Sequence, residues 1–122
     1  MLFNRHKIYK QFFLLILSSA ISAQGFSIAR IQYSGGGDWY SDPSSLPNLI
    51  DFISNETNIK IENNEFKIKL TSENLYNHTY LYLTGHGNIR FNDEEVRVLR
   101  NHLLKGAFLH ADDNYGMHDS FK

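Results

Sequence analysis

The chain has 122 residues, no cysteine, and 12 basic against 13 acidic side chains, which gives a formal net charge of −1. This length allows one domain at most. The missing cysteines exclude disulfides, and the charge balance argues against nucleic acid as a partner, since that would require clustered basic residues.

The N-terminal segment has the pattern of a secretory signal. Its first ten residues carry three basic and no acidic side chains, and the apolar run 12–23 ends in small residues. This run is shorter than the ~20 apolar residues that cross a bilayer, so the pattern predicts a signal peptide over residues 1–23. An uncleaved membrane anchor is the alternative, because Ile21 is larger than signal cleavage sites prefer. We expect an exported protein, periplasmic or secreted, whose domain occupies residues 24–122.

The first half of this domain predicts a strand, a helix and a second strand. Residues 26–33 are apolar and aromatic and end at three glycines, as a strand would. Asp42, which could cap a helix or contact a ligand, precedes Pro43 and a stripe of apolar residues at helical spacing: Leu46, Leu49, Ile50 and Ile53. Residues 66–70 alternate apolar side chains with lysines, which predicts an edge strand.

The second half predicts a strand, a helix and a strand. Residues 80–84 are uniformly apolar, as in a strand covered on both faces. Asn92 and Glu95 have the spacing of a capping box, and Gly106 is placed to end the helix. We expect its buried stripe to comprise Val96, Leu99 and Leu103. Residues 107–111 form the fourth predicted strand, and residues 112–116 a turn.

Strands that alternate with helices predict an α/β fold with a parallel open sheet and right-handed crossovers. In such sheets, ligands bind beyond the carboxyl ends of the strands, where the strand order reverses. The loops 34–43, 85–88 and 112–116 follow the first, third and fourth strands. If the strand order is 2-1-3-4, all three loops open at the same rim and form one shared site.

The loop 34–43, called here the glycine-aromatic loop, offers several candidate ligand contacts. Gly36 and Gly37 could cradle a phosphate, but no nucleotide-binding glycine motif is present, which favours a simple tight turn. Asp38 could contact a ligand. Trp39 and Tyr40 could stack on a sugar or a base, or equally pack over the first helix.

His86, between Gly85 and Gly87, is the strongest single candidate for a functional residue. Its flanking glycines let a ligand or another backbone segment come close, and imidazole titrates near neutral pH. Adjacent strand residues point to opposite faces. We therefore expect one of Asp112 and Asp113 to face the crevice and the other to cap the following helix.

The fourth predicted strand and the turn after it contain further candidate ligand contacts and possible metal ligands. Asn114 and Tyr115 complete the predicted ligand-binding set. A metal held by His86, His110, Asp112 and Asp113 has no supporting ligand spacing, and the stretch 112–116 lacks the glutamate of a calcium loop. The sequence therefore predicts neither a metal nor a cofactor.

At these loops the chain resembles the domain-of-unknown-function family 4159. The matching stretches are residues 33–49, 82–88, 92–96 and 109–121. The resemblance implies a flavodoxin-like sheet of the class I glutamine amidotransferase-like group, and a bacterial protein that is exported or part of a membrane-associated complex. It also implies a domain that continues past Lys122. The chain would then be truncated, which would leave one face of the fourth strand without its covering helix.

The amidotransferase group uses a cysteine nucleophile at a turn that corresponds to residues 111–113. Because the chain has no cysteine, thiolate chemistry is excluded, while an aspartate there could act as a base or ligand. Two functions remain: a domain that binds a small polar ligand or a partner protein, and a hydrolase for a carbohydrate or amide with His86 and Asp112 or Asp113 as acid and base. Hydrogen-bond reach between His86 and either aspartate would favour the hydrolase.

Overall fold

The computed structural model of the chain describes residues 25–121, so the predicted signal peptide lies outside the described residues. The strands are β1 (Ile28–Ile31), β2 (Phe66–Ile68), β3 (Tyr80–His86) and β4 (Phe108–Tyr115). The helices are α1 (Ser45–Glu56), α2 (Asp93–Leu104) and a short α3 (His118–Phe121), with a 3-10 helix (Glu73–Asn77) before β3. No helix in this part of the chain is both long and apolar enough to cross a membrane.

The four strands form one parallel sheet in the order β2-β1-β3-β4. This confirms the predicted α/β open sheet with flavodoxin-like strand order, and it confirms β2 as an edge strand. The order reverses between β1 and β3, so a crevice is expected beyond their carboxyl ends.

Alternate residues of the central strands pack into two separate layers. On one face, Ile28 and Tyr82 pack with Leu46 and Ile50 of α1, and Leu49 packs against them. This confirms three residues of the predicted stripe, whereas Ile53 does not join the cluster. On the other face, a larger cluster includes Leu99 of α2 and these sheet residues: Ala29, Ile31, Leu81 and Leu83. Both sides of β1 and β3 are therefore covered.

Helix α2 begins and ends as predicted, but its buried face differs. The capping box of Asn92 and Glu95 is present, and Gly106 follows the helix with a positive φ of 102°. Val96 is 46% exposed, so its placement in the core was wrong. Val98 packs against the core instead, and His102 is buried, with its Nε2 bonded to the carbonyl oxygen of His78 at 2.8 Å.

Strand β4 is longer than predicted, because residues 112–115 belong to the strand rather than to a turn. Thr84 and Gly85 pair with Asp112 and Asp113, and the register then shifts so that His86 pairs with Tyr115. Asn114 is the extra residue of this bulge. The added length carries the candidate site residues of β4 directly alongside those of β3.

Candidate functional site

The structure brings the three loops together at the carboxyl ends of β1, β3 and β4. Asp38 contacts His86, and the N–H of Gly37 donates to the carbonyl oxygen of Asn88 at 3.0 Å. The side-chain amide of Asn114 donates to Ser41 Oγ at 3.0 Å and to the Asp42 carboxylate. We call this meeting point, formed by residues 34–43, 85–88 and 112–116, the rim.

A carboxylate–imidazole pair lies at the centre of the rim. Asp38 accepts hydrogen bonds from the backbone N–H of His86 and, at 3.0 Å, from its ring Nδ1. The first of these bonds is the main reason that the pKa of Asp38 is lowered. The imidazole is 55% exposed. Asp38 therefore orients the imidazole through Nδ1–H and leaves Nε2 for contact with a ligand.

The lowered pKa of Asp38 makes one stability prediction. Above pH 3.8, the ordinary value for this carboxyl, the folded and unfolded states both carry the charge, so the contribution is complete. Below that pH the unfolded state binds the proton first, and the contribution is lost as the pH falls through the lowered folded value. Denaturant unfolding of Asp38→Asn and wild type should thus differ at pH 6 and converge towards pH 2.

The exposed helix residue Asp51 provides the control for this measurement. Asp51→Asn should leave the acid limb of the stability curve as it is in the wild type. A constant difference between Asp38→Asn and wild type from pH 6 to pH 2 would show that the bonds to His86 do not hold the carboxylate charged.

The glycines of the rim allow close packing between the loops. A Cβ on Gly37 would lie 2.6 Å from the carbonyl oxygen of Asn88, and a Cβ on Gly85 would lie 2.1 Å from the hydroxyl of Tyr33. That hydroxyl donates to the carbonyl oxygen of Thr84 at 3.0 Å, and burial together with the charge of Asp38 raises the pKa of Tyr33. Because the N–H of Gly37 is already bonded within the protein, the tight-turn interpretation fits better than a phosphate cradle.

Arg30 of β1 supports the glycine-aromatic loop from below and was missed by sequence reasoning. Its side chain is 1% exposed and pairs with Glu65 at 2.7 Å. Its guanidinium also donates to the carbonyl oxygen of Ser41 at 2.8 Å and lies 5.5 Å from the ring centre of Tyr82. An arginine inside an apolar strand was the available signal, because a buried charge requires a partner.

The two adjacent aspartates of β4 point to opposite faces, as predicted. Asp112 accepts from the hydroxyl of Tyr82 at 3.0 Å. Asp113 accepts from the N–H of Met117 at 3.0 Å, so its carboxylate bonds the turn that leads into α3 rather than an N–H of the helix itself. The carboxylate that pairs with His86 is Asp38, so the pairing of His86 with Asp112 or Asp113 is corrected.

Asp42 does not cap α1. The helix starts at Ser45 with Ser44 as its N-cap, and Asp42 lies before it with a positive φ of 50°. Its carboxylate accepts from Asn114 instead, so Asp42 links the loop after β1 to the bulge of β4.

The aromatic residues of the rim divide into one packed ring and two exposed rings. Trp39 packs against the larger core cluster, on the face opposite α1, so packing over the first helix is not what the structure shows. Tyr40 meets Trp39 edge to face with ring centres 5.5 Å apart, and its own ring is exposed. Tyr115, beside His86, is 82% exposed. Tyr40 and Tyr115 therefore offer ring surfaces to a ligand.

The sequence model of the family described as "Domain of unknown function (DUF4159)" matches residues 27–122. The chain belongs to this family. The match includes every rim residue described above, as well as Arg30. A search of the curated proteins found no similar sequence.

Two further features of the DUF4159 domain bear on what the rim can bind. Among residues 25–121, the structure brings together no group of three or more side chains able to hold a metal, and His110 is bonded through Nδ1 to the hydroxyl of Tyr80 at 2.8 Å. Two surface cavities, of ≈ 360 and ≈ 530 Å³, lie beside β2 and share Phe66 and Lys67 in their linings. These cavities are at the sheet edge, and Pro43 is the one rim residue that lines either of them.

Proposed function

We propose that this DUF4159 domain is an exported binding domain that holds a small, hydroxyl-rich ligand at the rim. The observation that carries the proposal is the Asp38–His86 pair. Its carboxylate is bonded to the imidazole, while the imidazole is 55% exposed and, among the described residues, has no bonded hydroxyl or carboxylate at Nε2. This arrangement presents an oriented imidazole nitrogen without a nucleophile beside it.

The chemistry around the pair indicates the class of ligand. Four carboxylates lie at or beside the rim: Asp38, Asp42, Asp112 and Asp113. This surplus of negative charge disfavours anions and supplies acceptors for hydroxyl donors. The exposed rings of Tyr40 and Tyr115 add surfaces on which the apolar face of a sugar can lie. A neutral carbohydrate matches both features.

Calorimetric titration with neutral and anionic sugars tests the proposal. The panel is glucose, maltose and, as the matched anion, glucuronate. At least one neutral sugar should bind the wild type, and His86→Ala should weaken this binding about tenfold through the loss of one hydrogen bond to an ionisable group. The exposed-surface variant Asp51→Ala should bind as the wild type does. Preference for glucuronate, or unchanged binding by His86→Ala, would contradict the proposal.

The second candidate function is a hydrolase for a carbohydrate or an amide. The same pair supports it, because a carboxylate that orients an imidazole is the arrangement of a general base, with Nε2 placed to take a proton from water. In this version Asp38 is the orienting residue. Turnover of nitrophenyl glycosides or anilides that is lost in both His86→Ala and Asp38→Asn would favour the hydrolase over a binding domain.

Two finer assignments belong with this proposal. Export to the periplasm or the medium is inferred from the charge and apolar pattern of residues 1–23. Membership of the class I glutamine amidotransferase-like group is supported by the parallel strand order β2-β1-β3-β4. Neither assignment supplies a reaction, because the fold alone does not determine function.

A further inference from the structure

One of the two surface cavities, of ≈ 360 Å³, lies beside β2, at the edge of the sheet opposite β4. Residues of β2 and of the 3-10 connection to β3 line it, among them Phe66, Ile68, Ser72, Asn74, Asn77 and His78. We call it the His78 cavity. Its lining includes no residue of the rim, and His78 lies just before β3, at the end of that strand opposite the rim.

His78 is buried, yet one of its ring nitrogens is unpaired. The residue is only 5% exposed, and its Nδ1 lies 2.8 Å from Ser27 Oγ. Within residues 25–121 no hydrogen bond reaches Nε2, and the only fully enclosed side-chain nitrogen or oxygen without a partner is Thr84 Oγ1. Nε2 is therefore accessible. The cavity that His78 lines is the opening through which a ligand can supply the missing partner.

The contact with Ser27 indicates which nitrogen of His78 carries the proton. Burial, together with the charge of His102, lowers the pKa of His78, so the ring is neutral at pH 7 and carries one proton. Ser27 is 7% exposed, and among the described residues its hydroxyl bonds only His78. Because a buried hydroxyl proton without an acceptor is costly, the favoured arrangement has Ser27 donating to Nδ1. The ring proton then lies on Nε2, as a donor towards the cavity.

The other polar residues of the cavity supply further donors. Ser72 Oγ accepts from the backbone N–H of Asn74 at 3.3 Å, which leaves the hydroxyl proton available. Asn74 and Asn77 are exposed and add side-chain NH₂ groups. Lys67 also belongs to the lining, whereas no carboxylate does, since Glu65 lines only the neighbouring cavity. Several donors without a carboxylate favour an anionic group on the ligand.

The remaining lining of the His78 cavity is apolar. Ile68 is buried, while Phe66 is 42% exposed. The ring centre of Phe66 lies 4.5 Å from that of His78, with the two planes tilted by 38°. The exposed part of the Phe66 ring can therefore cover a second flat ring. A cavity of this volume also suits a small molecule.

We propose that the His78 cavity binds a small aromatic carboxylate, whose ring lies against Phe66 and whose carboxylate accepts from His78 Nε2 and from the amides of Asn74 and Asn77. The flat apolar body and the anionic head of such a ligand match the two parts of the lining. The rim, with its four carboxylates, favours a neutral ligand. The two sites therefore differ in the charge that they bind, and this proposal does not depend on the function proposed for the rim.

NMR titration of the full chain with benzoate at pH 7 tests the proposal. Benzamide retains the ring without the charge, acetate retains the carboxylate without the ring, and inorganic phosphate is an anion of another shape. Benzoate should shift the amides of Ser72, Asn74 and His78, and the Nε2 resonance of His78. It should bind at least about tenfold more tightly than benzamide or acetate. The rim amides of residues 37–40 and 85–88 should not respond.

Substitutions on the exposed surface of the cavity leave the core intact. Asn74→Ala and Asn77→Ala should each weaken benzoate binding about threefold to tenfold through the loss of one hydrogen bond. Asn64→Ala is the matched control, because this exposed asparagine lines only the neighbouring cavity, and it should bind as the wild type does.

Four results would overturn the proposal. The first is an Nε2 resonance of His78 that does not move in up to ~20 mM benzoate. The second is an affinity for benzamide or acetate equal to that for benzoate. The third is inorganic phosphate binding as tightly as benzoate, which would indicate a site for anions in general. The fourth is benzoate binding that neither Asn74→Ala nor Asn77→Ala weakens.

Discussion

Replacing Gly85 with alanine is expected to lower the free energy of unfolding by about 3 kcal/mol, because the new methyl group overpacks a filled site and displaces a buried hydrogen bond. Its Cβ would lie 2.1 Å from the hydroxyl oxygen of Tyr33. Tyr33 cannot yield without losing its bond to the carbonyl oxygen of Thr84. The φ of 149° at Gly85 adds strain for any other residue. Urea unfolding of the variant measures the loss.

Gly36 provides the matched control for this substitution. It also has a positive φ, of 91°, but a Cβ there would meet nothing within 4 Å. Gly36→Ala should therefore cost only about 1 kcal/mol, from the backbone alone. Adding Tyr33→Phe to Gly85→Ala should recover part of the loss, since it removes the colliding oxygen. Equal losses at Gly85 and Gly36 would contradict the close packing of Tyr33 beneath the rim.

Replacing Arg30 with methionine is expected to cost about 3–4 kcal/mol of unfolding free energy, because it leaves the largely buried carboxylate of Glu65 with only the more distant Lys67 as a partner. Glu65 is 12% exposed and bonds the guanidinium at 2.7 Å. The carbonyl oxygen of Ser41 would lose its donor as well. The loop that carries Asp38 would be loosened, so weaker ligand binding should accompany the loss of stability. Urea unfolding and calorimetry on the same variant measure the two effects.

The exposed ion pair between Lys67 and Glu65 provides the control for the buried pair between Arg30 and Glu65. Lys67 Nζ lies 3.9 Å from the other oxygen of Glu65, but the lysine side chain is 57% exposed. Lys67→Met should therefore change stability by less than about 0.5 kcal/mol. Adding Glu65→Gln to Arg30→Met removes the unpaired carboxylate charge of Glu65 and should restore part of the unfolding free energy. Similar losses for Arg30→Met and Lys67→Met would show that the arginine is not a buried anchor.

Much of the fold could be predicted from local patterns. The stripe from Leu46 to Ile53 indicated a helix on one face of a sheet, and the capping box at Asn92 and Glu95 marked the start of α2. The alternation of strands and helices then predicted parallel strands. Because parallel strands place all their carboxyl ends at one edge, the meeting of the three loops followed from topology rather than from any single motif.

The partners within the site could not be predicted, because they depend on loop conformation and on burial. The pairing of His86 with Asp38 joins residues 48 positions apart, and no spacing rule selects Asp38 over Asp112. The length of β4 was missed because Asp112 and Asp113 have low strand propensity, which pairing with β3 overrides. Val96 was placed in the core because the inward position of His102 depends on its distant acceptor, the carbonyl oxygen of His78.

Amide chemical-shift mapping of a bound neutral sugar tests the shared site most directly. The account predicts that titration shifts the amides of residues 37–40, 85–88 and 112–115 together, with one common dissociation constant, and that Asp38→Asn weakens all three responses. Shifts confined to the cavities beside β2, around Phe66 and Asn74, would contradict a ligand site formed by the three loops.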